Sequence, residues 1–411
     1  MAIRRVILIF VCLAFALAPR VDAGTLEEDF PTLGTVRWGP FRARPYFMIK
    51  NVGYDSNVFL EDGTPTSDFT STGEAGLRLF SLFGQRGVIQ MEEIFDYVWY
   101  QDNDDLNHFN NAFQGKGAYY MRRGRAFAEL RLLSVEDRPS SEIDYQTRRT
   151  ERSFGTGWEF VWPHSSLRFR LGQDHFGYDP GSEEGQNIPE ALNREEKRVT
   201  ITGSKRILPK TDFLLEWEGR RIDFTEPAGE PSDSRSRRIS TGFNFDPSAF
   251  IRGSVKVGWQ DLEPDNDLFT GYAGMVGDAI LVYRFSGHTA LEMRGLRQTG
   301  FTTAVNNIYY LETGYGATLT QALGDRVAGE VGISRGEVDF PRSTLAFDSE
   351  HHELVSGHRV DDIRSYFVGA SYRYSALSRL GLRLGVWERS STFDFLNRHR
   401  FTAQMIYAYN F

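Results

Sequence analysis

Arg168 and Arg170 stand two residues apart in "LRFRL", flanked and separated by Leu167, Phe169 and Leu171. A guanidinium is a planar fork of donors that grips carboxylate, phosphate or sulfate and stacks on rings. Two on one side of a strand, followed by Gly172 on the same side, make a wall that can touch anionic or hydroxylated solutes in passing. Arg78, Arg131, Arg220, Arg252, Lys256, Arg294 and Arg383 fall on comparable positions, and so do Glu129, Glu216 and Glu218. The plainer reading of the same residues is a solvated wall whose charges pair across strands. Arginine dominates: Lys50, Lys116, Lys197, Lys205, Lys210 and Lys256 are the only lysines among 47 basic residues.

Other chemistry is sparse. "SEHHEL" (Ser349–Leu354) gathers ligand types but lacks the His-x-x-x-His spacing of a helical zinc site. "DNDDLN" and "EPDND" lack the glycine and distal glutamate of a helix-loop-helix calcium site. Cys12, the one cysteine, lies in an apolar run near the N-terminus, so cysteine catalysis and thiolate metal sites are not expected. No catalytic residue, metal site or cofactor is expected. The formal charge of −8 gives no support to nucleic-acid binding.

The elements that position these residues read as strands. "FLLEWEGR" sets Phe213, Leu215 and Trp217 against Glu216, Glu218 and Arg220. "SVKVGWQ" sets Val255, Val257 and Trp259 against Lys256 and Gln260. Period two is the strand signature. Eight short turns are expected, at Gly84–Gly87, Arg122–Arg125, Pro163–Ser166, Leu208–Thr211, Asp246–Ala249, Ser286–His288, Ala322–Arg326 and Ser375–Arg379. Nine longer, polar connections alternate with them. Seventeen connections join eighteen strands, which predicts an all-β, transmembrane, antiparallel up-and-down β-barrel with outward apolar and inward polar faces.

Arg4 and Arg5, the run "VILIFVCLAFALA" and the "VDA" ending at Ala23 read as a secretory signal over residues 1–23, cleaved before Gly24. Residues 24–39 are expected as a short periplasmic segment and 40–411 as the barrel, in the bacterial outer membrane with both termini periplasmic. Nothing after the leader is apolar enough for a spanning helix. So short an N-terminal segment also leaves no room for the folded plug of a TonB-dependent transporter.

The closing stretch "RFTAQMIYAYNF" puts Phe401, Ala403, Met405, Tyr407, Tyr409 and Phe411 on one parity. In lipid every backbone group must be paired internally, so the last strand has to seal against the first. Phe401, Met405, Tyr407, Tyr409 and Phe411 also resemble the C-terminal signal read by the bacterial barrel-assembly machinery. Two places break the pattern. In "VIQMEEIFDYVWY", Glu93 shares the outward parity of Met91, Phe95, Tyr97 and Trp99, and a bulge or headgroup proximity would explain it. In "YAGMVGDAILVYRF" both parities are apolar, and Ala273, Met275, Ala279, Leu281, Tyr283 and Phe285 are assigned outward.

"VGYDSNVF" (Val52–Phe59) comes at the end of the first strand. Through Tyr54, Asp55, Asn57, Val58 and Phe59 it resembles the opening segment of β-barrel porins of the family 2 type. Some members of that family resemble outer-membrane barrels that accompany exopolysaccharide synthesis and export. The resemblance implies a channel for a saccharide polymer, with a periplasmic export partner, and carries no catalytic residues. A diffusion porin for small solutes is the alternative. A third reading is a barrel that only anchors surface loops, as an enzyme or adhesion scaffold. In all three the barrel's partners include outer-membrane lipid and the barrel-assembly machinery.

Overall fold

The computed structural model describes residues 36–84, 86–180, 188–225, 232–348 and 351–410. The expected leader, its Ala23–Gly24 junction, residues 24–35 of the expected periplasmic segment and Phe411 lie outside the described residues. Eighteen strands form the wall. They are β1 (Phe41–Asp55), β2 (Asp68–Phe83), β3 (Gly87–Tyr100), β4 (His108–Met121), β5 (Gly124–Asp137) and β6 (Thr147–Trp162). Next come β7 (Ser165–Tyr178), β8 (Arg194–Leu208), β9 (Thr211–Phe224), β10 (Ser234–Phe245), β11 (Ile251–Pro264) and β12 (Tyr272–Arg284). The circuit ends with β13 (Thr289–Phe301), β14 (Tyr309–Ala322), β15 (Val327–Asp339), β16 (Val360–Arg373), β17 (Ser378–Ser391) and β18 (Arg398–Asn410).

Each strand pairs antiparallel with the next, and β18 closes on β1 through Phe47↔Tyr409 and Ile49↔Tyr407. Closure follows from the outward face: Leu171, Trp259, Ile333 and Leu382 are each more than half exposed, which only lipid makes tolerable. The expected alternation of connections holds at every turn. The short connections 84–86, 122–123, 163–164, 209–210, 246–250, 285–288, 323–326 and 374–377 lie at one end of the barrel. The described parts of the nine longer connections, from 56–67 to 392–397, gather at the other. They include a five-residue helix, α1 (Ile188–Leu192), and a small hairpin, Thr344–Asp348 with Glu353–Gly357. Gly324 turns the 323–326 connection with φ of +92°, a backbone state that side chains rarely adopt.

Three irregularities stand out. The one at Glu93 is not a bulge: β3 keeps register with β2 and β4 throughout. Glu93 is outward, and its carboxylate accepts a hydrogen bond from the amide of Asn111, which shares that face. The bulge lies instead in β1, where one extra residue interrupts pairing on both sides and Asn51 takes φ of +60°. It switches the inward parity from Tyr46 and Lys50 to Gly53 and Asp55. Finally, β12 and β13 pair only from Gly277↔Arg297 to Arg284↔Ala290. Beyond that, side chains take over: Arg297 Nε donates to Met275 O (3.2 Å) and Tyr309 hydroxyl to Gly271 O (3.1 Å). Asp278 of β12 meets Arg238 on the inward face, so Ala279 and Leu281 do point outward.

Candidate functional site

The inward parity carries charges on most strands, and they are interlocked. Arg198 of β8 lies 3.1 Å from Asp174 of β7, 3.4 Å from Glu196 and 3.7 Å from Glu218 of β9. Arg220 reaches Glu218 (2.8 Å) and Glu196 (3.4 Å), and Arg194 reaches Glu196 (3.0 Å). Lys50 bridges Glu74 (2.7 Å) and Asp96 (3.1 Å) on β2 and β3. Arg149 does the same for Asp137 (2.8 Å) and Glu151. Such density is possible because strand partners sit close enough for one guanidinium to serve two carboxylates.

The residues anticipated from sequence fall into this network. Arg78 pairs with Glu92 (2.7 Å), Arg168 with Glu159 (2.9 Å), Arg170 with Glu129 (3.2 Å) and Lys256 with Glu216 (3.3 Å). Arg383 pairs with Glu330 (2.5 Å) and lies over the Phe367 ring, and Arg294 pairs with Glu292. Arg131 stands half-buried opposite Gln114 and Ser153, and Arg252 shares the parity of Lys256. Lys50, Arg149, Arg194, Arg198 and Arg238 belong to the same wall. Sequence reasoning passed over them because their strands lack a clean apolar alternation near these positions.

The motif at the end of β1 has a structural role. Asp55 receives Arg400 of β18 (Nε at 2.9 Å from both carboxylate oxygens) and the backbone amide of Asn57 (3.1 Å). The Asn57 amide donates to Glu61 O (2.9 Å) and His399 O (3.0 Å), and its oxygen accepts from the Glu61 amide. Val58 is buried, Phe59 is partly buried, and Tyr54 faces outward. These residues staple the first and last strands together at the long-connection end. At the other end of the seam Met405 and Tyr407 face outward, as the closing stretch implied, and Tyr409 pairs with Phe47.

The main feature that sequence reasoning missed is the connection between β5 and β6. It folds into the mouth. The Arg138 guanidinium donates to Val58 O beside β1 (2.5 Å). Glu142 accepts from the hydroxyls of Thr302 (2.6 Å) and Thr303 (3.0 Å) on the opposite side of the wall. Asp144 takes both Arg389 (2.8 Å) of β17 and Arg398 (2.9 Å) of β18. The Gln146 amide donates to the Tyr100 hydroxyl of β3 (2.9 Å). Partners so spread around the barrel are reachable only from inside it. Arg389 is fully buried and also donates to Ser141 O and Leu396 O.

Apolar residues complete the layer. Ile143 and Tyr145 pack with Ile188 and Leu192 of α1 and with Phe301. The Arg194 guanidinium lies over the rings of Phe176 (4.0 Å) and Phe301 (4.7 Å). Ile222, Phe224 and Leu262 form the adjoining cluster. The signal was present: in "GRRIDF" Ile222 and Phe224 carry on the parity of Arg220, so the inward face turns apolar at this end of the wall. Burial holds the Glu142 carboxyl above the usual carboxylate range, against the opposing pull of Arg359 and the two threonine hydroxyls.

His351 is bound by Asp348 (2.8 Å) and His358 by Asp339 (2.8 Å). Among the described residues no three His, Cys, Asp or Glu side chains are grouped as metal ligands.

The sequence family described as Putative beta-barrel porin 2 matches residues 30–407. No curated protein matches the chain. Among solved structures, OccK1 (OpdK) of Pseudomonas aeruginosa aligns with a TM-score of 0.50 and 10% identity, covering 90% of this chain and 98% of that one. OpdO of Pseudomonas aeruginosa aligns at 0.49 and 11% identity, over 90% and 97% of the two chains. The copper transporter OprC aligns at 0.45 and 7% identity, over 92% and 81%. At such identities the likeness is one of fold.

Proposed function

Because this chain belongs to the Putative beta-barrel porin 2 family, we propose that it is an outer-membrane channel for saccharide, its short turns periplasmic and its long connections at the cell surface. The observation that carries this reading is the lumen wall of interlocked arginines and carboxylates. A paired wall presents donors and acceptors side by side while its charges largely cancel. A hydroxyl group, which both donates and accepts, finds repeated weak partners there, and a wall of weak repeated contacts favours conduction over capture. The leading form of the proposal is export of a polysaccharide from a periplasmic partner. It requires the segment 138–146 to leave the mouth.

A second reading, a diffusion porin for small solutes, is favoured by that same segment, which narrows the surface mouth in the observed state. Family membership points to a porin, so an enzymatic or adhesion scaffold ranks below both. The test is flux of labelled neutral oligosaccharides of increasing length from proteoliposomes. It compares the parent with a variant in which residues 139–145 are replaced by a short Gly-Ser linker. Polymer export predicts that long oligomers pass once the segment is gone. A small-solute porin passes mono- and disaccharides in both proteins and long chains in neither. No flux and no ion conductance in either would leave only the scaffold reading.

A further inference from the structure

The two ends of the barrel differ sharply in charge. The nine long connections contain twenty acidic residues and three basic ones, Arg138, Arg342 and Arg359. The eight short connections contain five basic residues, Arg86, Arg122, Arg123, Lys210 and Arg326, against Asp246 and Asp325. Between the mouths, most of the charges are paired. The charge difference along the axis is therefore carried mainly by the rims, and a mouth with low-dielectric walls concentrates the field.

The basic rim includes a recess of about 590 Å³, where the turns 122–123 and 163–164 approach the adjoining ends of β8 and β9. Arg122, Arg123, Arg125, Arg206, Tyr120 and Ser204 are among its lining residues. Two of the guanidiniums are committed: Arg125 to Glu159 (2.7 Å) and Arg206 to Asp212 (3.0 Å). Glu159 also holds Arg168, so one carboxylate serves two cations. Arg122 and Arg123 are exposed and meet no carboxylate among the described residues. The recess thus keeps two more guanidiniums than carboxylates. The Arg125 guanidinium lies 5.9 Å from the centre of the Tyr120 ring, and Ser166 and Ser204 hydroxyls sit 2.8 Å apart. Gly124 makes the close approach possible: a Cβ there would collide with the Glu159 carbonyl.

We propose that this recess is an entrance site for saccharide bearing carboxylate, sulfate or phosphate groups. The arginine pair at 122–123 captures the charged group while hydroxyls meet Ser166, Ser204 and the paired wall beyond. The acidic connections at the far mouth offer such a chain no matching capture site, so capture is confined to the short-turn end. This rests on the saccharide-channel reading above and narrows its substrate to an acidic sugar.

The test uses the full barrel in planar bilayers with three probes: oligogalacturonate, a neutral dextran oligomer of similar length, and inorganic sulfate. An Ala376→Cys reporter in the exposed short turn 374–377, modified by an impermeant thiol reagent, identifies that mouth. The inference predicts that oligogalacturonate blocks current faster from the short-turn side than from the other, and faster than dextran. In Arg122→Ser/Arg123→Ser its capture rate should fall by roughly three- to tenfold at 0.1 M salt, with little difference at 1 M. Both arginines lie in an exposed turn, and heat-modifiable migration confirms that the variant assembles. Equal capture from both sides, equal capture of dextran, or no change in the variant overturns the inference while the saccharide channel stands. Capture of sulfate without oligogalacturonate overturns it as well. If neither oligosaccharide enters, the saccharide reading falls and this inference with it.

Discussion

Arg168 and Arg170 show how a single residue type takes its meaning from its neighbours. Each is tied to a carboxylate on the adjacent wall, yet the Arg168 side chain remains 43% exposed. Exchanging both for Glu changes the local charge by four units and turns Glu159 and Glu129 from partners into repulsive neighbours. We expect a shift toward cation selectivity in planar bilayers, larger at low salt because screening sets in over about 10 Å at 0.1 M. An unchanged reversal potential would place these side chains away from the conducting path. Asp144→Ala makes the opposite kind of change. It strands the fully buried Arg389, and losing one member of a buried pair typically costs about 3–5 kcal/mol. The segment should therefore detach, with raised single-channel conductance and faster proteolysis near residue 142. Parental conductance would show that Asp144 does not hold the mouth closed.

At the scale of elements, β7 and β18 carry the sharpest expectations. Leu167 and Phe169 face lipid, where a basic charge costs about 2–4 kcal/mol at mid-membrane and an acid less. Leu167→Glu/Phe169→Glu should lower the yield of heat-modifiable barrel, whereas the exchange at Arg168 and Arg170 should not. Tyr409 pairs with Phe47 and Ser378 across the closing seam. Changing Tyr409 and Phe411 to Ser should block assembly, read by membrane fractionation; normal barrel levels would contradict that role. The segment 138–146 adds a pH dependence. A carboxyl whose folded pKa lies above the unfolded value of about 4.3 penalises the folded arrangement once pH rises through the folded value. Glu142 is such a group, so acidification should hold the segment more firmly and lower conductance. Glu142→Gln, already neutral, should conduct less at neutral pH and lose this dependence; an identical pH profile would rule Glu142 out as its source.

The whole molecule is an axial arrangement: a basic rim, a paired wall and an acidic mouth crossed by a folded segment. Charge at the rims with little net charge between them should make the current–voltage curve asymmetric at low salt and symmetric as salt rises. A symmetric curve at about 50 mM salt, where the screening length exceeds 10 Å, would mean that the rim charges do not reach the permeation path.

The alternation of Leu167, Phe169 and Leu171 with Arg168 and Arg170, and of short with long connections, was enough to derive eighteen strands, their order and their facing. That follows because a closed barrel in lipid couples side-chain parity, turn length and pairing into one repeating rule. Glu93 obeyed the parity and needed only Asn111, a cross-strand neighbour, to be explained. What the sequence left undetermined is what non-local geometry decides. The segment 138–146 reads locally as one more acidic, polar connection. Its inward course depends on Thr302, Arg389 and Arg398, which are far away in the chain and gathered around one mouth only when the barrel closes. The pairing of most lumen arginines is likewise a matter of register, since one carboxylate two strands away decides whether a guanidinium is spent or free. At Arg122 and Arg123 the residue types were visible from the start, but their recess required neighbouring turns and strand ends to converge.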